Sequence, residues 1–269
     1  DIAEKAGVSV ATVSRVINNS ANVSEKNRSK VMEIIDQERY VPNIFARNLN
    51  STASKTIGIL CPIISGINHV KPVSILEHLL RDAGYDILLS CTDSVSENKE
   101  KSLNLLHNRR VDAIILIGST MEELTQYEHF APIAAEIPIL IINGLVELDN
   151  VYCVLSDERE GVKNLVKTLF DYGCRRILYL NDTCSFSGFQ KIQGYREGLV
   201  QCGLPDDGEL ILQIPEAEDE LQPAREMIQK MLDDGIAFDA LIAADDILAV
   251  GAQKALQARE ISIPVVGLN

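Results

Sequence analysis

The sequence predicts an α/β protein in which a small all-helical unit precedes two successive lobes of parallel β-sheet flanked by helices. Three observations predict it. Residues 2–38 hold three short helical stretches, each with its own start or stop signal and all sharing apolar faces. From Thr56 onward, apolar runs of strand length alternate with amphipathic segments, the pattern of repeated strand-helix units. The charge is also split: residues 1–55 hold 8 Lys/Arg against 6 Asp/Glu, and the rest holds 17 against 33. In a chain of net charge −14, only the first piece could sit comfortably on phosphate.

The opening stretch "AGVSVATVSRVINNSANVSEKNRSKV", residues 6–31, reads as helix, turn, helix. Gly7 stands where a C-terminal glycine ends the first helix, and Ser9 stands where an N-cap starts the second. Within the second helix Val13, Val16 and Ile17 fall on one face. They would pack against Ile2 and Ala6, and against Val31, Ile34 and Ile35 of a third helix. The opposite face carries Val10, Ala11, Ser14, Arg15 and Asn18. A small surface helix without a partner would show long charged side chains there; flat apolar ground beside one guanidinium fits a DNA major groove instead. Val10 and Ala11 would meet thymine methyls and Arg15 a guanine edge, while the Thr12 and Ser14 hydroxyls reach phosphate. A merely solvated face is the competing reading. Ser24 caps the third helix, which ends near Glu38, and Asn22 just before it could add a phosphate contact. Residues 1–40 thus form the first domain.

Residues 39–55, "RYVPNIFARNLNSTASK", come next. Pro42 ends the preceding pattern and permits a short helix over Asn43–Asn48, followed by a polar linker. So short a helix is not stable alone, because nucleation costs more than its few hydrogen bonds return. Ile44, Phe45 and Leu49 offer an apolar side to a second copy of the segment, and an apolar wedge in a base step is a minor-groove device. Arg47 in the same stretch is a further candidate DNA contact. A plain flexible linker is the alternative for residues 41–55.

The strands that follow read as "TIGILCPI", "DILLSC", "DAIILIG", "IPILIIN", "VYCVLS", "RRILYLN", "ELILQI", "DALIAA" and "VVGL". Amphipathic segments lie between most of them, over Val73–Ala83, Glu97–Asn108, Glu160–Tyr172, Gln190–Cys202, Pro223–Asp233 and Ile247–Arg259. A break near Gly144–Ser156 divides the pattern into lobes of residues 56–150 and 151–269. Two parallel sheets whose strand ends face each other leave a cleft at their switch points, where such sheets bind small ligands.

Other classes find no support. The six cysteines are scattered without a CxxC, and no His stands at metal-ligand spacing, so reduced thiols are expected, with no disulfide, zinc or cofactor. Neither GxGxxG nor a Walker loop is present, the four histidines are isolated, and "EAEDE" at 216–220 reads as a solvated acidic loop. An enzyme is therefore not expected. No run approaches the ~18 apolar residues of a membrane span and no leader is visible, which predicts a cytoplasmic protein. The chain opens at Asp1 without a methionine and inside a helix, as part of a longer chain would.

The segments "DIAEKAGVSVATVSRVINNS", "VSEKNRSKVMEII", "YVPNIFARNL" and "KTIGIL" resemble the lactose/galactose repressor (LacI/GalR) family, densely over residues 1–60 and more loosely beyond. The resemblance implies a helix-turn-helix DNA-binding domain joined to a two-lobed core of the type I periplasmic-binding-protein kind. It implies a homodimeric repressor on palindromic double-stranded operator DNA, whose affinity a small-molecule effector, a sugar or another metabolite, alters from between the lobes. The effector would act by changing the separation of the two linkers. By resemblance Val10, Ala11 and Arg15 read bases, residues 43–49 form a hinge helix, and Leu49 is its minor-groove lever. Ser65 falls on the first ligand loop, Ser185 and Ser187 on a later one. Lys191, in "KIQGYREGL", takes the place of a ligand-gripping Arg, and Asp246 that of a hydroxyl-binding Asp.

The sequence also departs from the family pattern. Lys191 lacks the planar fork of Arg. Asn68 and His69 stand where aromatics are frequent, the acidic "EAEDELQP" stands where a stacking ring often lies, and Trp is absent. "ISIPVVGLN" is short, and the chain stops before the family's final strands. The replaced aromatic and Arg positions keep open a repressor governed by a partner protein; further off stands an enzyme or solute-binding receptor with an accidental N-terminal helix pair.

Overall fold

The computed structural model describes residues 2–17, 20, 22–38, 54–62, 67–92, 96–118, 131–182, 185–206, 208–214 and 220–268. It divides into two compact units, Asp1–Lys55 and Thr56–Asn269.

In the first unit, helices α1 (Ile2–Ala6), α2 (Val10–Ile17) and α3 (Glu25–Gln37) enclose a small core. Gly7 adopts a left-handed φ of 62°. Its N–H donates to the Glu4 carbonyl at 3.1 Å and that of Val8 to Ala3 at 3.0 Å, the pair of bonds by which a left-handed residue closes a helix. Ser9 accepts from the Thr12 N–H at 3.2 Å, and Ser24 caps α3 through the Asn27 N–H. Ala3, Ala6, Val13, Val16 and Val31 are buried, with Ile2, Val8, Ile17, Val23, Ile34 and Ile35 packed around them. A core this small has little to spare: complete burial of one valine is worth about 1.5–3 kcal/mol.

The second unit contains two all-parallel sheets. The first is built from β1 (Thr56–Cys61), β2 (Asp86–Cys91), β3 (Ala113–Ile117), β4 (Ile139–Ile142) and β5 (Val151–Val154), in the order β2-β1-β3-β4-β5. The second is built from β6 (Ile177–Asn181), β7 (Ile211–Gln213), β8 (Ala240–Ala243) and β9 (Val265–Gly267), in the order β7-β6-β8-β9. Strands β1, β3, β6 and β8, flanked on both sides, are almost wholly buried, as parallel strands covered on both faces must be. The edge strands β2, β5, β7 and β9 are only half-buried.

Helix α4 (Ile67–Asp82) covers one face of the first sheet: its Val73, Leu76 and Leu80 meet Ile57, Ile59 and Cys61 of β1. The other face meets Leu103 and Leu106 of α5 (Ser96–Asn108) and Ile133 of α6 (Ala131–Ala134). Around the second sheet lie α7 (Glu158–Asp171), α8 (Phe186–Gln201), α9 (Leu221–Asp233) and α10 (Asp246–Gln257). Tyr179 of β6 and Tyr195 of α8 are buried with ring centroids 5.2 Å apart, and the Tyr195 hydroxyl donates to the Ile177 carbonyl at 2.7 Å. Helices α7 and α8 approach closely at Gly194, where a Cβ would lie 2.9 Å from the Arg159 carbonyl carbon.

One boundary moves. The second lobe was expected to open at residue 151, but β5 pairs with β4 from Ile139↔Val151 to Ile142↔Val154, so the first sheet includes Val154. The reason is the link: residues 143–150 carry no helix, and Asn150 accepts a φ of 62° while its side-chain amide donates to the Ala134 carbonyl at 2.7 Å. A short extended crossing does the work that a crossover helix does elsewhere. The next helix, α7, follows at Glu158, capped by Asp157 through the Glu160 N–H.

Candidate nucleic-acid interface and cleft residues

Burial of Val13 and Val16 turns the other side of α2 outward. Val10 is 70% exposed, and Ala11, Ser14 and Arg15 are exposed beside it. Nothing long or charged other than Arg15 rises from this patch, so the helix presents low apolar ground with one guanidinium at its C-terminal end. Thr12 departs from expectation. It is half-buried and its hydroxyl lies 2.9 Å from that of Ser9, so the two share one hydrogen bond within the helix cap. One hydroxyl proton of the pair remains for phosphate, where a free Thr12 hydroxyl was expected. Asn22 is exposed in the turn before α3, its N–H donating to the Ser20 hydroxyl at 3.4 Å. The Arg28 guanidinium holds that turn by donating to the Ser20 carbonyl at 2.6 Å. Asn18, Arg47 and Leu49, and with them the whole of residues 43–49, lie outside the described residues.

The residues expected in the cleft divide in the same way. Ser65 lies outside the described residues; Asn68 and His69 belong to α4, but their side chains lie outside them too. Ser185 serves as the N-cap of α8, accepting from the Gly188 N–H at 3.0 Å, and Ser187 is half-buried in the first turn.

Lys191 and Asp246 are brought to one end of the second sheet. The Lys191 ammonium donates to the Ala244 carbonyl at 2.8 Å and lies 3.9 Å from a Glu158 carboxylate oxygen. Its side chain is only 14% exposed, so it is neither a surface lysine nor an unengaged cation. Asp245 is buried and accepts from the Ile247 N–H at 2.5 Å, capping α10, whereas Asp246 is exposed. The Asp246 carboxylate abuts Gly267 at the end of β9, where a Cβ would displace it. Tyr179 stands nearby in charge terms: burial, then the carboxylates of Asp182 and Glu158, push its phenol well above the usual range.

Glu158 and Asp245 were not anticipated. The doublet "DD" at 245–246 contained a signal, since one carboxylate must cap the helix and leave the other to face outward. Glu158 had none, because its partner Lys191 is distant in the chain. Among the described residues no group of three His, Cys, Asp or Glu is placed to hold a metal ion. No helix among them is long and apolar enough to cross a membrane.

Residues 1–43 match the family described as "Bacterial regulatory proteins, lacI family". Residues 54–267 match "Periplasmic binding proteins and sugar binding domain of LacI family". An HTH-type transcriptional regulator of Lachnoclostridium phytofermentans is 38% identical over all of this chain and 82% of its own length. The sucrose operon repressor of Lactococcus lactis is 31% identical, again over all of this chain and 81% of its own. The lac repressor dimer bound to operator and the anti-inducer ONPF superposes with a TM-score of 0.81 at 22% identity, covering 97% of this chain and 77% of that one.

Proposed function

The chain belongs to the lacI family of bacterial regulatory proteins and is a DNA-binding transcriptional regulator; from that premise we propose how its residues divide the work. The face of α2 reads the operator, with Val10, Ala11 and Arg15 on base edges and Ser14, Asn22 and the Ser9–Thr12 pair toward phosphate. The observation that carries this assignment is the exposure of that face above a core that fixes the helix. Two copies bind a palindromic site, one α2 to each half, with residues 43–49 and Leu49 between them and Arg47 beside them. Exposed apolar side chains support association of two cores: Ile75 and Leu79 lie one turn apart on α4, and Ile247 and Val250 on α10.

The two-lobed core senses a small-molecule effector, a sugar or another polar metabolite, and the protein works as a cytoplasmic repressor. Asp246 accepts from effector hydroxyls. Lys191, with Ser65, Asn68, His69, Ser185 and Ser187, completes the set of candidate contacts. An effector that prefers one arrangement of the lobes shifts operator affinity by its differential binding to the two arrangements.

A second reading has its own observation. Because the Lys191 ammonium is held by Ala244 and Glu158, the core has less to offer an anionic effector and could answer to a partner protein. Fluorescence anisotropy of the protein on a palindromic duplex from its own upstream region, across salt and with sugars, sugar phosphates and purines, separates the two. Specific binding that one compound shifts supports the effector reading, and specific binding that none shifts supports the partner. Binding equal on all sequences would remove the base-reading role of α2.

A further inference from the structure

Cys61 and Cys91 are register partners at the carboxyl ends of the adjacent parallel strands β1 and β2. Their side chains therefore leave the same face of the sheet, and their Sγ atoms lie 4.0 Å apart. Neighbouring strands are spaced about 4.8 Å apart. That separation falls inside the roughly 4.4–6.8 Å that a disulfide spans between Cα atoms, so rotation of the two side chains can bring the sulfurs together. The strand ends are pinned in this register, because Thr92 donates its N–H to the Cys61 carbonyl at 3.1 Å. Access is unequal: Cys61 is buried and Cys91 exposed on the edge strand. Cys153 and Cys174 differ, since they point their thiols at the backbone carbonyls of Val146 and Asp239.

We propose that Cys61 and Cys91 form a dithiol modification site that low-molecular-weight disulfides oxidise to an internal disulfide. The Cys91 thiolate attacks one sulfur of the small disulfide, giving a mixed disulfide at Cys91 and releasing one thiolate. The Cys61 sulfur then attacks the Cys91 sulfur, loses its proton to the medium, and displaces the second thiolate. Two protein thiols are oxidised to one disulfide, and one small disulfide is reduced to two thiols. Burial, and then the neighbouring Cys91, raise the Cys61 pKa to about 12, which leaves the first attack to Cys91. The closed bond ties edge strand β2 to β1 at the carboxyl end of the sheet, where open α/β sheets hold ligands.

The test equilibrates the full chain in glutathione buffers from reducing to oxidising, blocks remaining thiols with a maleimide, and maps tryptic peptides by mass spectrometry. Lys71 precedes Pro72, so residues 56–81 remain one peptide and residues 82–99 the other. The expected result is a linked pair of these two peptides, with joint loss of both maleimide-reactive thiols. Cys61→Ala is expected to stop at the mixed disulfide on Cys91, and Cys91→Ser to leave Cys61 reduced. The peptide map of the unaltered chain decides the matter if either variant fails to fold. A mixed disulfide that persists on Cys91 at every buffer ratio, or a bond joining either residue to another cysteine, overturns the proposal.

Discussion

Lys191 and Ala244 are joined by a 2.8 Å hydrogen bond from ammonium to carbonyl, so one side chain of α8 fastens the end of β8. Glu158, at the start of α7, lies 3.9 Å from the same ammonium. The position at which family resemblance suggests a ligand-binding cation thus also joins two helices to a strand end.

Replacing Lys191 with Met is expected to destabilise the second lobe by about 1–3 kcal/mol, because the Ala244 carbonyl loses its charged donor and the Glu158 carboxylate its countercharge. Urea unfolding followed by circular dichroism reads this. If the unfolding midpoint stays in place while the effector response weakens, Lys191 serves ligand rather than fold.

Arg15→Ala is expected to weaken operator binding by roughly 1–3 kcal/mol and to relax preference at one operator position. Competition binding against single-base operator variants measures both. A loss of the same size on every variant would make Arg15 a phosphate contact.

Two glycines in touching helices should respond with opposite signs. Gly194→Ala drives a methyl group into the Arg159 backbone carbonyl, and overpacking of this kind costs about 1–3 kcal/mol. Gly161 lies within α7 with nothing within 4 Å of its Cβ position, so Gly161→Ala should stabilise by about 0.5–1 kcal/mol. Denaturant midpoints of the two variants provide the comparison, and shifts in the same direction would contradict the close approach of α7 and α8.

The first unit should weaken on acidification. A hydrogen bond from Lys5, and then the charge of Lys5, hold the Glu38 carboxyl below the ordinary glutamate value. A folded value lower than the unfolded one gives a contribution present above the unfolded value and lost as pH falls through the folded one. An NMR titration of Glu38 should therefore move upward in Lys5→Ala. An identical titration in the two proteins would mean that the pair is absent in solution.

What the sequence disclosed follows from how local each signal is. Gly7, Ser9 and Ser24 mark helix ends within a few residues, and unbroken apolar runs such as "AIILI" mark buried strands, so the helical unit and the strands could be read directly. The sheet to which "VYCV" belongs could not, because its pairing depends on an extended link that local pattern does not report. The proximity of Glu158 to Lys191 and of Cys61 to Cys91 is likewise set by register and helix packing between residues far apart in the chain. Ser9 and Thr12 show the reverse case: the cap was visible in the sequence, but the hydrogen bond by which the two hydroxyls share one proton was not.

The buried pair Tyr179 and Tyr195 has a practical consequence, because the chain contains no Trp to mask it. Two rings held 5.2 Å apart in fixed orientation give the second lobe an intrinsic aromatic signature in near-ultraviolet circular dichroism. Melting of that lobe can then be followed without a label, and an indole introduced into α2 would report on the DNA-binding unit through a separate optical channel.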